Sequence, residues 1–443
     1  MAMGRRKPKQ KDLWLSAEEV VKPAAHPFYS KVNEVLDELH FDARVEFLCR
    51  RFYQPVMGHP SIPPGVYFRA LLVGYCEGID SERGIDWRIA DSLSLREFLG
   101  YKLTEATPDH CTISRTRRLL PLETHKAVFR WMVWALGAKG LFNGQTIGID
   151  ATTLEANAAM RSIRRRSDGK SYDEYLKELA AKAGIQEPSK EQLARLDRRR
   201  KKKTSNKEWM SPTDHDARIA RMKDGRTHLA HKAEHAVDLN SGAIVAVTLQ
   251  AADRGDTTTV QATLQEARAN AEFLTAGGVQ DVVADKGYHS SAVLEAMEEQ
   301  HVQTLIAEPE RGRRDWQGRR AERDRVYANR HRWRSERGQR LGKLRSELVE
   351  RSFTHMYDTG GMRRTHLRGR ENILKRLLVH ALAFNLALLV RKQYGIGKPR
   401  TLQGASQELQ NAIPNAILAA WIALAALAPA ECADSAENEL IAA

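Results

Sequence analysis

The chain has 443 residues, enough for two or three domains, each with its own core. Its 70 Lys plus Arg against 56 Asp plus Glu leave a net charge of +14 and a pI near 9.6, so a polyanion, nucleic acid first, is the expected partner. Four cysteines (Cys49, Cys76, Cys111, Cys432) stand far apart with no CxxC pair, which argues against a disulfide framework or a thiolate metal site and suits a reducing cytoplasm.

The N-terminal "MAMGRRKPKQKDLWL" is basic, and no apolar segment follows it as a secretory signal would require. From about residue 28 to 140 the pattern is helical. "PPGVYFRALLVGYCEG" opens with proline at a first-turn position and stops at Gly78, and "DWRIADSLSLREFLGY" repeats the scheme to Gly100. In "TPDHCTISRTRRLL", Asp109 or Thr112 can cap a short helix displaying Arg115, Arg117 and Arg118, a succession resembling a helix-turn-helix. The helix "LETHKAVFRWMVWALG" follows.

The period then changes. "QTIGID" alternates and ends on Asp150; "HLAHKAEHAVDL" and "AIVAVTLQ" alternate too, joined by the turn residues "NSG", so the three are expected to form an antiparallel meander. "GDTTTVQATLQEARANAEFL" reads as a helix capped by Asp256, "VQDVVAD" as a fourth strand ending on Asp285, "SSAVLEAMEEQ" as a helix and "VQTLIA" as a fifth strand. Arginine-rich stretches at about 160–225 and 309–345 interrupt the order. Each alone reads as solvated or disordered; as a pair flanking one site they suit phosphate contacts, with Trp316, Tyr327 and Trp333 able to stack on an unpaired base.

This is a ribonuclease-H-like order, which sets the end of strand one beside the end of strand four. Asp150 and Asp285 occupy those ends. A third acid is expected from a later helix: "SELVERSFTHMYD" offers Glu347 and Glu350, with Glu371 further on, and Glu350 is preferred because Leu344 and Leu348 can turn that helix to the sheet. Converging carboxylates repel unless divalent cations lie among them, and hard oxygen donors suit two Mg²⁺ or Mn²⁺ ions. Lys286, Arg351 and Lys375 could neutralise phosphates. A rival trio, His228, His231 and His235, has zinc-like spacing only on a helix; its alternation favours a strand and ordinary polar roles. Asp214 and Asp216 in "TDHDA" read as a capping turn.

From about residue 30 to 392 the sequence resembles the DDE transposases of bacterial insertion sequences, in "GIDATTLEANA", "DKGYHS" and "LVERSFTHMYDTGGMRRTHLRGRENILKRLLVHALAFNLALLVRK". The resemblance implies an α/β, ribonuclease-H-like mixed five-stranded sheet flanked by helices, with an all-α DNA-binding domain before it. It makes Asp150, Asp285 and Glu350 the catalytic, metal-holding carboxylates, Arg363, Arg364, Arg368 and Arg370 a DNA-contacting continuation, and Arg115 and Arg118 contacts to terminal repeats. "Asp-Ala-Thr" here stands where "Asp-Gly-Thr" is commoner, and Lys343 and Ser346 occupy the positions of the Tyr and Arg in one neighbouring branch's signature. The expected organisation is a basic stretch at 1–27, the helical domain at 28–140, the catalytic domain at 141–395 with its two basic insertions, and an Ala-rich tail at 396–443.

The expected activity is metal-dependent cleavage at inverted terminal repeats and strand transfer into target DNA by a homodimer. A catalytically inactive DNA-binding repressor and a nuclease without strand transfer are the alternatives. No membrane partner is expected: the most apolar run, Ala416 to Ala428, falls short of the roughly 20 residues a span needs and reads as a packing or oligomerising helix. The stripe from Ile373 through Leu389 belongs to a final core helix, on which His380 and Asn385 are satisfied polar groups.

Overall fold

Seven helices come first: α1 (Pro27–Glu38), α2 (Phe41–Cys49), α3 (Pro64–Glu77), α4 (Glu82–Ala90), α5 (Leu93–Phe98), α6 (His110–Leu119) and α7 (Leu122–Ala138). The computed structural model describes residues 26–396, except 55–60, 201–203, 223–224, 273–277, 311 and 313, so the N-terminal basic stretch up to residue 25 and the tail from residue 397 lie outside the described residues. Pro64 opens α3, and Gly78 closes it at φ 71, a left-handed conformation that costs glycine little. The helix expected over "DWRIADSLSLREFLGY" is two: Ser92 starts α5 afresh by accepting a hydrogen bond from the Leu95 amide at 3.3 Å. Asp109 caps α6 in the same way, from the Thr112 amide at 2.6 Å.

The second half runs β1 (Thr146–Glu155), β2 (Arg164–Arg165), α8 (Tyr172–Lys182), α9 (Lys190–Arg199), β3 (Trp209–Met210), β4 (Arg218–Arg221), β5 (Thr227–Asp238), β6 (Ile244–Ala251), α10 (Asp256–Ala271), β7 (Asp281–Ala284), α11 (Ser291–Glu299), β8 (Gln303–Ile306), α12 (Arg320–Arg334), α13 (Glu336–Thr354) and α14 (Arg370–Tyr394). The main sheet has the order β4-β5-β1-β7-β8, with β6 also on β5. β1, β5 and β6 are the expected antiparallel meander, and β7 and β8 are parallel to β1. The sheet has six strands rather than five, because β4 adds to the outer end of the long β5.

β1 also outruns its expected end. It pairs with β5 from Ile147 opposite Asp238 to Glu155 opposite Ala230, so Asp150 lies mid-strand. Thr152 and Thr153, which lie past the expected strand end, are β-branched residues at home in a pleated strand. The first basic insertion is folded rather than disordered. Capping boxes at Ser171/Glu174 and Ser189/Gln192 start α8 and α9, and Trp209, Ile163, Ala217 and Leu229 form a small separate core.

Asparagines on helices close both sheet edges. Asn385 of α14 bonds the amide and carbonyl of Ile244 at 2.9 and 2.8 Å, and Asn329 of α12 does the same to Ile306 at 3.0 and 2.9 Å. Each occupies backbone groups that an edge strand would otherwise offer to another chain. α14 is long and apolar enough to cross a membrane, yet it is largely buried against α3, α7 and β6, and its stripe is core. The helical half and the sheet share one continuous hydrophobic cluster through it, including Phe68, Val128, Ile149, Leu378 and Leu389.

Candidate active site

Parallel pairing of Ile147 with Val282 and Gly148 with Val283 brings Asp150 and Asp285 level, two residues further along each chain. Asp285 follows β7 directly and caps a short turn, its Oδ1 accepting from the Gly287 amide at 2.8 Å. A Cβ on Gly287 would stand 2.6 Å from Asp256 Oδ2 and 3.0 Å from Asp285 Oδ1, so only glycine leaves those two carboxylates room to face each other. Burial pushes the Asp150 carboxyl up; Arg345 and the Ala151 amide oppose the shift, while Asp285 and Asp256 add to it. The three acids therefore share one electrostatic neighbourhood.

Asp256 is not the helix cap expected of it. Gly255 holds that position, and Asp256 Oδ1 meets the buried Lys232 Nζ at 2.6 Å. Lys232 also donates to Thr259 Oγ1 at 2.9 Å. Next to it, Glu234 is wholly buried and receives hydrogen bonds from Thr259, Thr263 and the Tyr288 hydroxyl, the last at 2.8 Å. Burial pushes Glu234 up, against those hydrogen bonds. In "DKGYHS" the tyrosine thus ties the Asp285 turn to β5, and the glycine clears the space beside it.

Glu350 lies on α13, which packs on the Asp150 face of β1. Val349 rests over Gly148, where an added Cβ would be 3.2 Å from its Cγ2, and Ser352 Oγ meets Nδ1 of His235, the residue opposite Asp150, at 2.9 Å. Phe353 stacks on the same imidazole at 4.3 Å, and burial lowers His235 to about 3, so it stays neutral. These contacts hold α13 across β1 beside Asp150. The Glu350 side chain is exposed, and the carboxylate has no hydrogen bond or ion pair among the described residues. The other candidates are tied elsewhere, Glu347 to Arg351 and Glu371 to Lys375.

Lys286 is exposed beside Asp285, and Arg115 and Arg118 are exposed on α6, whereas Arg117 turns inward to Glu82. An open groove lined by Arg83, Arg115, Arg118, His366 and Leu367 joins α6 to the loop before α14. On that loop Arg363 pairs with Asp358, Arg364 with Glu155 and Arg370 with Asp216; Arg368 is exposed without an acidic partner among the described residues. Arg351 lines a pocket with Phe28, Tyr75 and Phe384, and Lys375 is buried against Arg117 O, so the structure does not bring either to the acids.

His231 pairs with Asp214 in the core and His228 lies beside Glu155, so the histidine trio is dispersed. Asp214 and Asp216 fasten the backbone amides of Gly369 and Arg370. Trp316 packs on the main core and Trp333 against Gly342, which leaves Tyr327 as the exposed aromatic of the three. Sequence reading missed Arg345, Lys232 and Glu234, because none stands in a motif and each acquires meaning only from a partner on another element.

Among the described residues no three His, Cys, Asp or Glu side chains are arranged to hold a metal ion. Asp150 and Asp285 nonetheless supply the donor chemistry of a hard cation such as Mg²⁺, which takes one or two protein carboxylates and fills its shell with water and phosphate. Two level acids on adjacent parallel strands, in a sheet whose first three strands are antiparallel, define a ribonuclease-H-like core. Residues 149–386 match the model of the transposase DDE domain, and residues 16–119 match a transposase domain, DUF772. The chain belongs to the DDE transposase family, DNA-binding enzymes of the polynucleotidyl transferase type that generally use divalent metal ions. No curated protein matches it in sequence.

Proposed function

We propose that this transposase cuts DNA at the inverted terminal repeats of its element and joins the freed ends to target DNA, with Asp150, Asp285 and Glu350 as the catalytic carboxylates. The levelling of Asp150 with Asp285 by the β1–β7 register carries the reading. Glu350 is supported by its place on α13, which packs across β1 at Gly148, and by its carboxylate having no basic partner among the described residues, unlike Glu347 and Glu371. Two Mg²⁺ or Mn²⁺ ions, when bound, would supply an activated water or 3′-hydroxyl and stabilise the leaving oxygen.

The chain's own residues do the rest. The β1–β7 register sets Asp150 and Asp285 level, and the Tyr288–Glu234 bond keeps the Asp285 turn from moving away. Lys286 lies where a flanking phosphate would meet a cation, Arg115 and Arg118 hold terminal-repeat DNA in the groove beside α6, and the exposed Arg368 on the loop before α14 adds a phosphate contact. Pairing two ends calls for a homodimer, acting on cellular DNA in the cytoplasm.

Labelled DNA carrying the gene's own flanking ends, incubated with Mg²⁺ or EDTA, tests this. Asp150→Ala should abolish cleavage and leave end binding largely intact; equal loss of both counts against the assignment. Cutting that survives in Glu350→Gln moves the third carboxylate to Glu347 or Glu371. Wild-type protein that binds ends but never cuts would mean a repressor.

A further inference from the structure

Asp150 already has a cation. Arg345 Nη1 donates to Asp150 Oδ2 at 2.6 Å, while Oδ1 accepts from the Ala151 amide at 2.8 Å, so both carboxylate oxygens are engaged. The pair is sheltered, with side chains 11 % and 23 % exposed, and Asp150 is the one acidic partner of Arg345 among the described residues. Arg345 reaches it by crossing β1 at Gly148, where an added Cβ would stand 2.8 Å from Arg345 Cγ. The contacts of Val349 and Ser352 pin α13 just beyond, so the guanidinium can leave the carboxylate by rotating its side chain, without the helix sliding.

We propose that Arg345 is a positioning residue that acts as the site's resident counter-cation: it holds Asp150 in the DNA-free protein and must leave for a divalent ion to bind there. This rests on the reading of Asp150 as a metal-holding carboxylate. A guanidinium in contact with one oxygen and a divalent ion on the same carboxylate repel each other, in a partly dehydrated place where screening is weak. Arg345 therefore lowers metal affinity until something else takes its charge. The phosphodiester of bound DNA is such a partner, since a guanidinium bonds phosphate in a bidentate way. Metal and DNA binding are then positively coupled through this side chain, and by linkage each strengthens the other.

The test is Mn²⁺ titration of the DNA-free protein by calorimetry, for wild type, Arg345→Gln, Arg345→Lys, Arg337→Gln and Asp150→Asn, with thermal melts to establish that each variant folds. Arg337 is the control, a residue of the same helix whose acid is Asp281. Arg345→Gln should bind Mn²⁺ roughly tenfold more tightly than wild type, as expected for losing one close, partly buried like charge. Arg345→Lys should fall between, and serves if the glutamine variant does not fold; Arg337→Gln should match wild type. Equal or weaker binding by Arg345→Gln overturns the proposal, as does the same gain in Arg337→Gln, which would mean net charge alone. Mn²⁺ binding that persists unchanged in Asp150→Asn overturns the underlying reading of Asp150, a result separate from the behaviour of Arg345.

Discussion

The two arginine-rich stretches look alike in sequence, and in each some arginines are tied down while others face solvent. In the second, several arginines fasten α12 and the segment before it to α11 and to β8 and its end. Arg325 bridges to Glu295 and Glu298 on α11, Arg330 and Arg314 converge on Glu308 after β8, and Arg332 donates to the carbonyl and hydroxyl of Thr304 on β8 at 2.9 and 3.1 Å. In the first, Arg164, Arg165 and Arg200 pair with Glu174, Asp168 and Asp197, whereas Arg195, Arg198 and Arg199 project from α9 into solvent with no acidic partner among the described residues. A run of arginine thus reports charge, whereas its use depends on whether acids from other elements arrive within reach. In both stretches, the arginines left for a phosphate are those that stay exposed and unpaired among the described residues.

That contrast can be broken in four places. The largest effect should come from Asn329→Ala within the second stretch: it leaves the Ile306 amide and carbonyl of the edge strand without partners and should cost about 2–3 kcal/mol in a denaturant melt. A loss under half of that would mean water replaces the asparagine. Arg332→Ala should cost about 1–2 kcal/mol while leaving DNA affinity unchanged; a fall in affinity at constant stability would make Arg332 a phosphate contact after all.

Glu308→Gln comes next, at about 1 kcal/mol or less for so accessible a pair. Its hydrogen bond from Arg330 holds the Glu308 carboxyl below the ordinary 4.5. Because the folded value lies under the unfolded one, the stabilisation is full above the unfolded value and is lost as the pH falls through the lowered folded one, so wild type and variant should converge once the solution is acidified below it. A gap that stays constant on acidification would point to packing instead of charge. The smallest effect on stability, within about 0.5 kcal/mol, belongs to the triple change Arg195, Arg198 and Arg199 to Ala. It should instead make the salt dependence of DNA binding shallower by about two to three units of log–log slope, and an unaltered slope would leave the first stretch merely solvated.

Much of the sheet was legible beforehand because period-two alternation reports one buried face. β1, β5, β6, β7 and β8 coincide with the five expected strands, and Asp285 stands where "VQDVVAD" ends. The end of β1 was not legible: "DATT" carries turn-forming and strand-forming residues together, and the long partner β5 decided between them. The break between α4 and α5 was hidden for a similar reason, since the Ser92 cap interrupts an otherwise continuous helical pattern. Of the candidate site, Asp150, Asp285 and Glu350 could be singled out as acids of the expected strands and helix, whereas Arg345 and Lys232, which meet Asp150 and Asp256 from other elements, could not.

By itself the sequence determined the charge of +14, the alternation of the strands, the apolar stripe of α14 and the short roll of acids from which a site could be built. Those are properties of composition and of spacing within single elements. Only the tertiary structure decided that Asp150 is level with Asp285, that Lys232 and Arg345 neutralise the neighbouring carboxylates, and which arginines stay exposed and unpaired among the described residues. Arg345 and Asp150 are 195 residues apart in the chain, and an ion pair depends on distance in space, which packing of α13 across Gly148 brings down to 2.6 Å.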